Sequence, residues 1–103
     1  MKGITGRATA FRELIKERGA ALRQNTYVEI ERLVDSPTEE FTFQGRKAHV
    51  SVIVEHHKAN QLRVVVQGFL KALIGAHVAL DGFYITNEGA ISEMPEDEFR
   101  GYD

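Results

Sequence analysis

The sequence predicts one α+β domain over residues 1–103, in which an amphipathic N-terminal helix packs on an antiparallel sheet of about five to six strands. Three observations support this prediction. Apolar residues recur every three or four positions near the N-terminus, the apolar period then changes to two, and short polar turns separate the alternating segments. A chain of 103 residues is long enough for one hydrophobic core and too short for a second.

Residues 9–23 form the predicted helix, because apolar side chains recur there at the spacing of one helix face and charged residues occupy the rest of the cylinder. Gly19 lies within this segment, and in a helix interior it costs about 1 kcal/mol relative to alanine. It marks either a frayed end or a place where the helix lies close against the sheet. The apolar face consists of Phe11, Leu14, Ile15 and Leu22.

Alternating segments follow the helix, and residues that favour turns bound each of them. Residues 27–34 alternate as in a strand, although a helix also fits them. Residues 69–75 fit either a short helix or the continuation of a strand, and residues 77–86 form a strand that breaks at Asp81 and Gly82. The remaining predicted strands cover 41–43, 48–55, 62–67 and 90–94, with turns at 35–38, 44–47, 57–61 and 87–89.

The order of elements, an early helix followed by an antiparallel meander, resembles in outline the cystatin and nuclear-transport-factor-like architectures. This resemblance lies in element order and implies a fold, without implying an activity. An acidic tail, 95–103, begins at a proline and suits one helical turn. The predicted core comprises Phe11, Leu14, Ile15, Leu22, Val28, Ile30, Phe43, Val50, Val52, Val54, Val64, Val66, Val78, Leu80, Phe83 and Ile85.

No residue pattern commits the chain to a reaction. There is no cysteine, which excludes disulfides, thiolate metal sites and cysteine nucleophiles. The serines lie in no nucleophile motif, no glycine-rich phosphate loop is present, and the four histidines lack the spacing of metal ligands. We therefore predict no catalytic residue, no metal and no cofactor, and we expect binding rather than catalysis.

Three polar residues within the most apolar part of the sequence are the candidates for lining a pocket. They are His77, Asp81 and Tyr84. If the sheet curls over the helix and leaves a cavity, these side chains would offer hydrogen bonds to a small molecule. A closed and dry helix–sheet interface would instead argue against such a pocket, and the sequence leaves both arrangements open.

The net charge of −2 conceals an uneven distribution. Residues 1–24 hold six basic and two acidic residues, whereas residues 81–103 hold seven acidic and one basic. Such a chain could pair its own ends, form a homo-oligomer or present one end to a charged partner. Arg12, Lys16 and Arg23 form a basic stripe on the predicted helix that could contact nucleic acid, but the acidic tail and the net charge disfavour this partner.

The acidic tail holds the candidate partner-binding residues. Its two aromatic residues lie three positions apart among carboxylates and share one face of a helical turn. They could anchor a basic partner. They could equally dock on their own domain and cover an open sheet edge, in which case a partner would bind the helix or the hairpin at 44–47. The tail candidates are Glu96, Asp97, Glu98, Phe99 and Tyr102.

These observations favour a small non-catalytic protein that acts by binding another protein, such as an inhibitor, an immunity protein or an accessory subunit. A small-molecule enzyme or binding protein with a helix–sheet pocket is one alternative, and a nucleic-acid accessory protein is the other. We expect a cytoplasmic location, because the chain has no cysteine and no signal-peptide pattern. We expect no membrane association, because charged residues interrupt the most apolar stretch, 62–85.

Overall fold

The computed structural model describes residues 4–99 and 101–102, and it has the α+β fold that the sequence predicts. One long helix packs on a five-stranded antiparallel sheet in which every strand pairs with its neighbour in sequence, in the order β1-β2-β3-β4-β5. A 3-10 turn follows the last strand. The elements are α1 (Ile4–Leu22), α2 (Tyr27–Glu31), β1 (Glu39–Phe43), β2 (Arg46–Lys58), β3 (Gln61–Lys71), β4 (Ala76–Thr86), β5 (Ile91–Glu93) and the 3-10 turn (Glu96–Phe99).

Helix α1 packs on the centre of the sheet through fully buried Phe11 and Ile15. It begins at Ile4, upstream of the predicted start at residue 9. The sequence does not predict this first turn, because it carries no apolar pattern. Close packing depends on Gly68 of β3, where a Cβ atom would lie 2.5 Å from Ile15 Cδ1 and 3.0 Å from the Phe11 ring. A larger residue there would push the helix off the sheet.

Residues 27–34 are helical at their start rather than strand-like, because a capping box begins α2. The Thr26 hydroxyl accepts a hydrogen bond from the Glu29 amide at 3.2 Å, and the Glu29 carboxylate accepts one from the Thr26 amide at 2.7 Å. The helix turns Ile30 into the core and leaves Val28 53% exposed. The prediction that Val28 lies in the core was therefore wrong.

The structure defines the two segments that the sequence left uncertain, residues 69–75 and 77–86. Strand β3 continues to Lys71 and a turn covers residues 72–75, so this segment is not a helix. Strand β4 runs without the predicted break, since Asp81 pairs with Val66 and Gly82 with Val65 in one continuous ladder. Gly82 has a packing role instead, because a Cβ atom there would lie 2.9 Å from the Phe99 ring.

Both faces of the sheet are covered, and the face under the helices is covered more completely than the other. The face under α1 and α2 holds two apolar clusters that contain most of the predicted core. The other face is covered in part by the tail, which encloses Val65, Tyr84 and Met94. Val78 lies on this second face beyond the tail and is 39% exposed, which corrects its placement in the core. No helix within residues 4–99 and 101–102 is long and apolar enough to cross a membrane.

Candidate functional site

One end of the molecule gathers cationic residues from several elements. Arg7 of α1, Arg46 at the start of β2, Lys71 at the end of β3 and His77 of β4 line one small cavity. Lys47 follows directly on β2. We call this region, together with the β3–β4 turn, the basic end. None of the Lys and Arg residues named here pairs with a carboxylate of residues 4–99 or 101–102.

Two apolar side chains project from the basic end. Leu73 and Ile74, in the β3–β4 turn, are 80% and 94% exposed. Gly75, which follows them, has a φ of +72°, and this left-handed conformation reverses the chain. The sequence does not predict this feature, because both residues also fit one face of a short helix. The signal available was Gly75, which marks a turn rather than a helix.

The structure does not bring the three pocket candidates together. His77 and Asp81 lie on the sheet face under α1, whereas Tyr84 lies on the opposite face. His77 lines the cavity of the basic end, and Asp81 forms an ion pair with Arg23. Tyr84 packs against the ring of His57, with ring centroids 4.9 Å apart.

Arg23 joins the C-terminal end of α1 to the far strands of the sheet. Its guanidinium donates to Asp81 at 2.7 Å, to Glu93 at 2.7 and 3.1 Å, and to the Gly82 carbonyl at 3.0 Å. The guanidinium carbon also lies 4.7 Å from the Phe83 ring centroid. Burial works to lower the pKa of Arg23, but the hydrogen bonds to Asp81 and Glu93 outweigh it and raise the pKa above its ordinary value.

The basic stripe predicted on the helix is partly neutralised. Arg23 is bound as described, and the Lys16 ammonium lies 3.9 Å from the Glu13 carboxylate. Arg18 pairs with Glu39 at 2.5 Å. This hydrogen bond raises the pKa of Arg18 and lowers the pKa of Glu39. Arg12 is exposed. Because Lys16 and Arg23 pair with carboxylates, the face of α1 offers no continuous row of unpaired cations.

The tail docks on its own domain, and Phe99 and Tyr102 pack against the Val65 cluster. The Tyr84 hydroxyl donates to Glu98, the Tyr102 hydroxyl donates to Glu55 at 2.5 Å, and the Gln67 amide donates to the Tyr102 carbonyl. Burial first, and then the bond to Glu55, raises the pKa of Tyr102. The exposed tail candidates are Glu96, Asp97 and Glu98, while residues 100 and 103 lie outside the described structure.

The helix–sheet interface is open at one side. A cleft of about 310 Å³ lies between the C-terminal half of α1 and the edge formed by β1 and β2. Apolar groups form most of its wall, and the Arg18–Glu39 pair and Asn25 provide polar groups. We call it the helix cleft; its lining residues are Arg18, Ala21, Leu22, Asn25, Pro37, Glu39, Val50 and Val52.

A second cleft, of about 280 Å³, lies beside the tail and is mainly polar. His57 lies at its edge and accepts a hydrogen bond at Nδ1 from Arg63 at 3.0 Å, since arginine can only donate. In residues 4–99 and 101–102, no group of three or more His, Asp or Glu residues is placed to hold a metal ion. The absence of a metal stays a prediction. The cleft is lined by His57, Lys58, Gln61, Tyr84, Ser92, Glu93, Pro95 and Glu98.

Comparisons with known proteins leave the interpretation to the geometry of the chain. No family model matches it, no curated protein matches it, and no solved structure matches it.

Proposed function

We propose that this protein acts by binding another protein through its basic end, as an inhibitor, immunity or accessory protein would. The observation that supports the proposal is the pair Leu73 and Ile74, which stand almost fully exposed beside the cations of the basic end. Large apolar side chains that project into solvent next to each other are typical of interaction sites. Among the described residues, the next most exposed large apolar side chain is that of Val28, at 53%.

The chemistry of the surface defines the partner. Ile74 and Leu73 would enter a shallow apolar pocket, where burial of an aliphatic side chain stabilises an interface by about 1.5–3 kcal/mol. Arg46 and Lys47 would face carboxylates around that pocket and accelerate association through their charge. The partner is therefore a protein with an acidic surface that surrounds an apolar depression.

The tail is less suited to this role. Phe99 and Tyr102, which would serve as anchors, already pack on the sheet. The tail thus presents carboxylates to solvent without an apolar anchor, and surface charges alone contribute little affinity.

A crosslinking experiment tests the proposal. A photo-reactive residue at position 74 should capture a protein in the source cell, and the same residue at position 88, in the opposite β4–β5 turn, should not. The captured protein is then purified and titrated with the wild-type chain. Ile74→Asp and Arg46→Glu should each weaken binding about tenfold or more, and the loss for Arg46→Glu should shrink at high salt.

Lys58→Glu is the matched control, because Lys58 is an exposed cation in the opposite β2–β3 turn region. The proposal fails if the purified protein binds all three variants with unchanged affinity. It also fails if position 74 captures nucleic acid, which would support the nucleic-acid alternative instead.

The helix cleft favours the small-molecule alternative as a second candidate function. Its volume of about 310 Å³ lies at the lower bound of ligand pockets, and Leu22, Val50 and Val52 give it an apolar wall. A ligand-observed NMR screen with small amphipathic molecules should find binders that Val52→Trp displaces by filling the cleft. Small molecules that bind the Val52→Trp protein as well as the wild type would remove the support for this second function.

The predicted cytoplasmic location belongs to the same proposal, and the lack of cysteine supports it, because a reducing compartment needs no disulfides. Fractionation of the source cells tests it directly. Recovery of the chain outside the cytoplasm would contradict it.

A further inference from the structure

The small cavity of the basic end has an unusual lining. Arg7, Arg46, Lys71 and His77 approach it from one helix and three strands, and the remaining lining residues are Ala72 and Leu73. Among residues 4–99 and 101–102, no carboxylate lines it. Its volume is about 20 Å³, which is room for about one oxygen atom.

This grouping of cations around one cavity is unfavourable unless an anion balances their charge. Three permanent cations that share one cavity repel each other, whereas Arg18 and Arg23 elsewhere in the molecule each have a carboxylate within hydrogen-bond distance. In addition, the Nε atom of Arg7 is buried without a hydrogen-bond partner among residues 4–99 and 101–102. A buried donor in this condition destabilises the folded chain until an acceptor reaches it.

We propose that this cavity binds a phosphate-class oxyanion. One oxygen would occupy the cavity and accept from Arg7, and the outer oxygens would face Arg46 and Lys71. Guanidinium groups suit this ligand, because their forked donors match the oxygens of phosphate. A phosphate also carries about 1.5 to 2 negative charges at neutral pH, which offsets more of the repulsion than a single carboxylate does. Its source is either inorganic phosphate or the terminal monoester of a small molecule.

The inference goes beyond the proposed function, since it requires no protein partner. The two share Arg46 but can be separated at other residues. Partner binding depends on Ile74 in the β3–β4 turn, whereas anion binding depends on Arg7 of α1, which lines the cavity. Ile74→Ser, which removes the apolar side chain without adding a charge, should therefore leave phosphate binding intact.

The test is an NMR titration of the full chain with inorganic phosphate, with chloride at equal ionic strength as the reference. Saturable shifts should appear at the amides of residues 7, 46 and 71–77. Arg7→Gln and Arg46→Gln should each weaken phosphate binding about tenfold, which is about 1.4 kcal/mol. Lys58→Gln should leave it unchanged. Lys71→Gln serves as a further variant if either arginine variant fails to fold.

A parallel titration with glycerol 3-phosphate distinguishes the sources. Tighter binding than that of inorganic phosphate identifies a monoester, and equal binding identifies the free ion; both outcomes support the site. Shifts that rise linearly and match those of chloride would overturn the proposal. Folded Arg7→Gln and Arg46→Gln proteins that bind phosphate like the wild type would overturn it as well.

Discussion

Gly19 shows how one residue without a side chain permits an ion pair. A Cβ atom at this position would lie 2.8 Å from Asp81 Cγ and 2.9 Å from Arg23 Nη1. The carboxylate cannot move aside easily, because Arg23 holds it on one side and the sheet on the other. The glycine that weakens the helix is therefore required where α1 meets β4.

Gly19→Ala should lower the free energy of unfolding by about 2 kcal/mol, although helix propensity alone would raise it by about 1 kcal/mol. The expected loss arises because the methyl group would separate Asp81 from Arg23. Urea denaturation measures it. Ala20→Gly, at the next and exposed position, is the control and should cost about 1 kcal/mol through propensity alone. A stabilised Gly19→Ala protein would show that α1 does not lie so close to β4.

Tyr102 predicts a loss of stability at alkaline pH. Burial and the bond to Glu55 raise its pKa in the folded chain above the ordinary value of 10. The folded chain therefore holds this proton more tightly, so the contribution is fully present below pH 10 and is lost as pH rises through the folded pKa. Ionisation would place a phenolate against the Glu55 carboxylate.

Tyr102→Phe should remove this alkaline dependence and lower stability by about 1 kcal/mol at neutral pH, where the hydrogen bond is lost. Chemical denaturation between pH 8 and 12 would show it as a flatter curve. Tyr27→Phe, on α2 and away from the tail, should keep the slope of the wild type. Parallel curves for Tyr102→Phe and the wild type would contradict the prediction.

At the scale of elements, the 3-10 turn covers the second face of the sheet. Phe99 packs over Gly82 and against the cluster that contains Val65, which is completely buried although it faces away from both helices. The tail therefore contributes to the stability of the domain.

Phe99→Ala should lower the free energy of unfolding by about 1–2 kcal/mol, since the ring is partly rather than fully buried. Thermal denaturation followed by circular dichroism measures the change. Asp97→Ala, an exposed position in the same turn, should have little effect. An unaltered melting temperature for Phe99→Ala would mean that the tail does not hold its docked position.

The sequence predicted the elements that pack by a regular pattern and misplaced those that depend on distant contacts. The alternation of apolar and polar residues was enough to predict β2 and β3, and the apolar face was enough to predict α1. Residues 27–34 were ambiguous because alternation in a short segment also fits a helix; the capping box from Thr26 to Glu29 was the local signal that decided it. Val65 was absent from the predicted core because it lies on the second face of the sheet, where distant residues of β4 and of the tail help to bury it.

For the whole molecule, the uneven charge of the sequence is partly paired within the fold, because Arg23 binds Asp81 and Glu93, and the basic end draws most of its cations from the middle of the chain. Contacts between distant segments were less predictable, because Arg23 meets Asp81 and Glu93 across 58 and 70 positions of sequence. Similarly, the cavity of the basic end combines Arg7 with Arg46, Lys71 and His77, which alternation alone cannot bring together. Leu73 and Ile74 resemble core residues in composition, and only the turn geometry exposes them.

The meander has a consequence for the folding rate. Only two to four residues separate successive strands, so each strand pairing closes a short loop and should form early. The contacts of Arg23 close loops of 58 and 70 residues and should form after the transition state. Arg23→Met should therefore accelerate unfolding and leave the refolding rate nearly unchanged in stopped-flow experiments. A refolding rate that falls in proportion to the lost stability would place α1 docking within the folding nucleus instead.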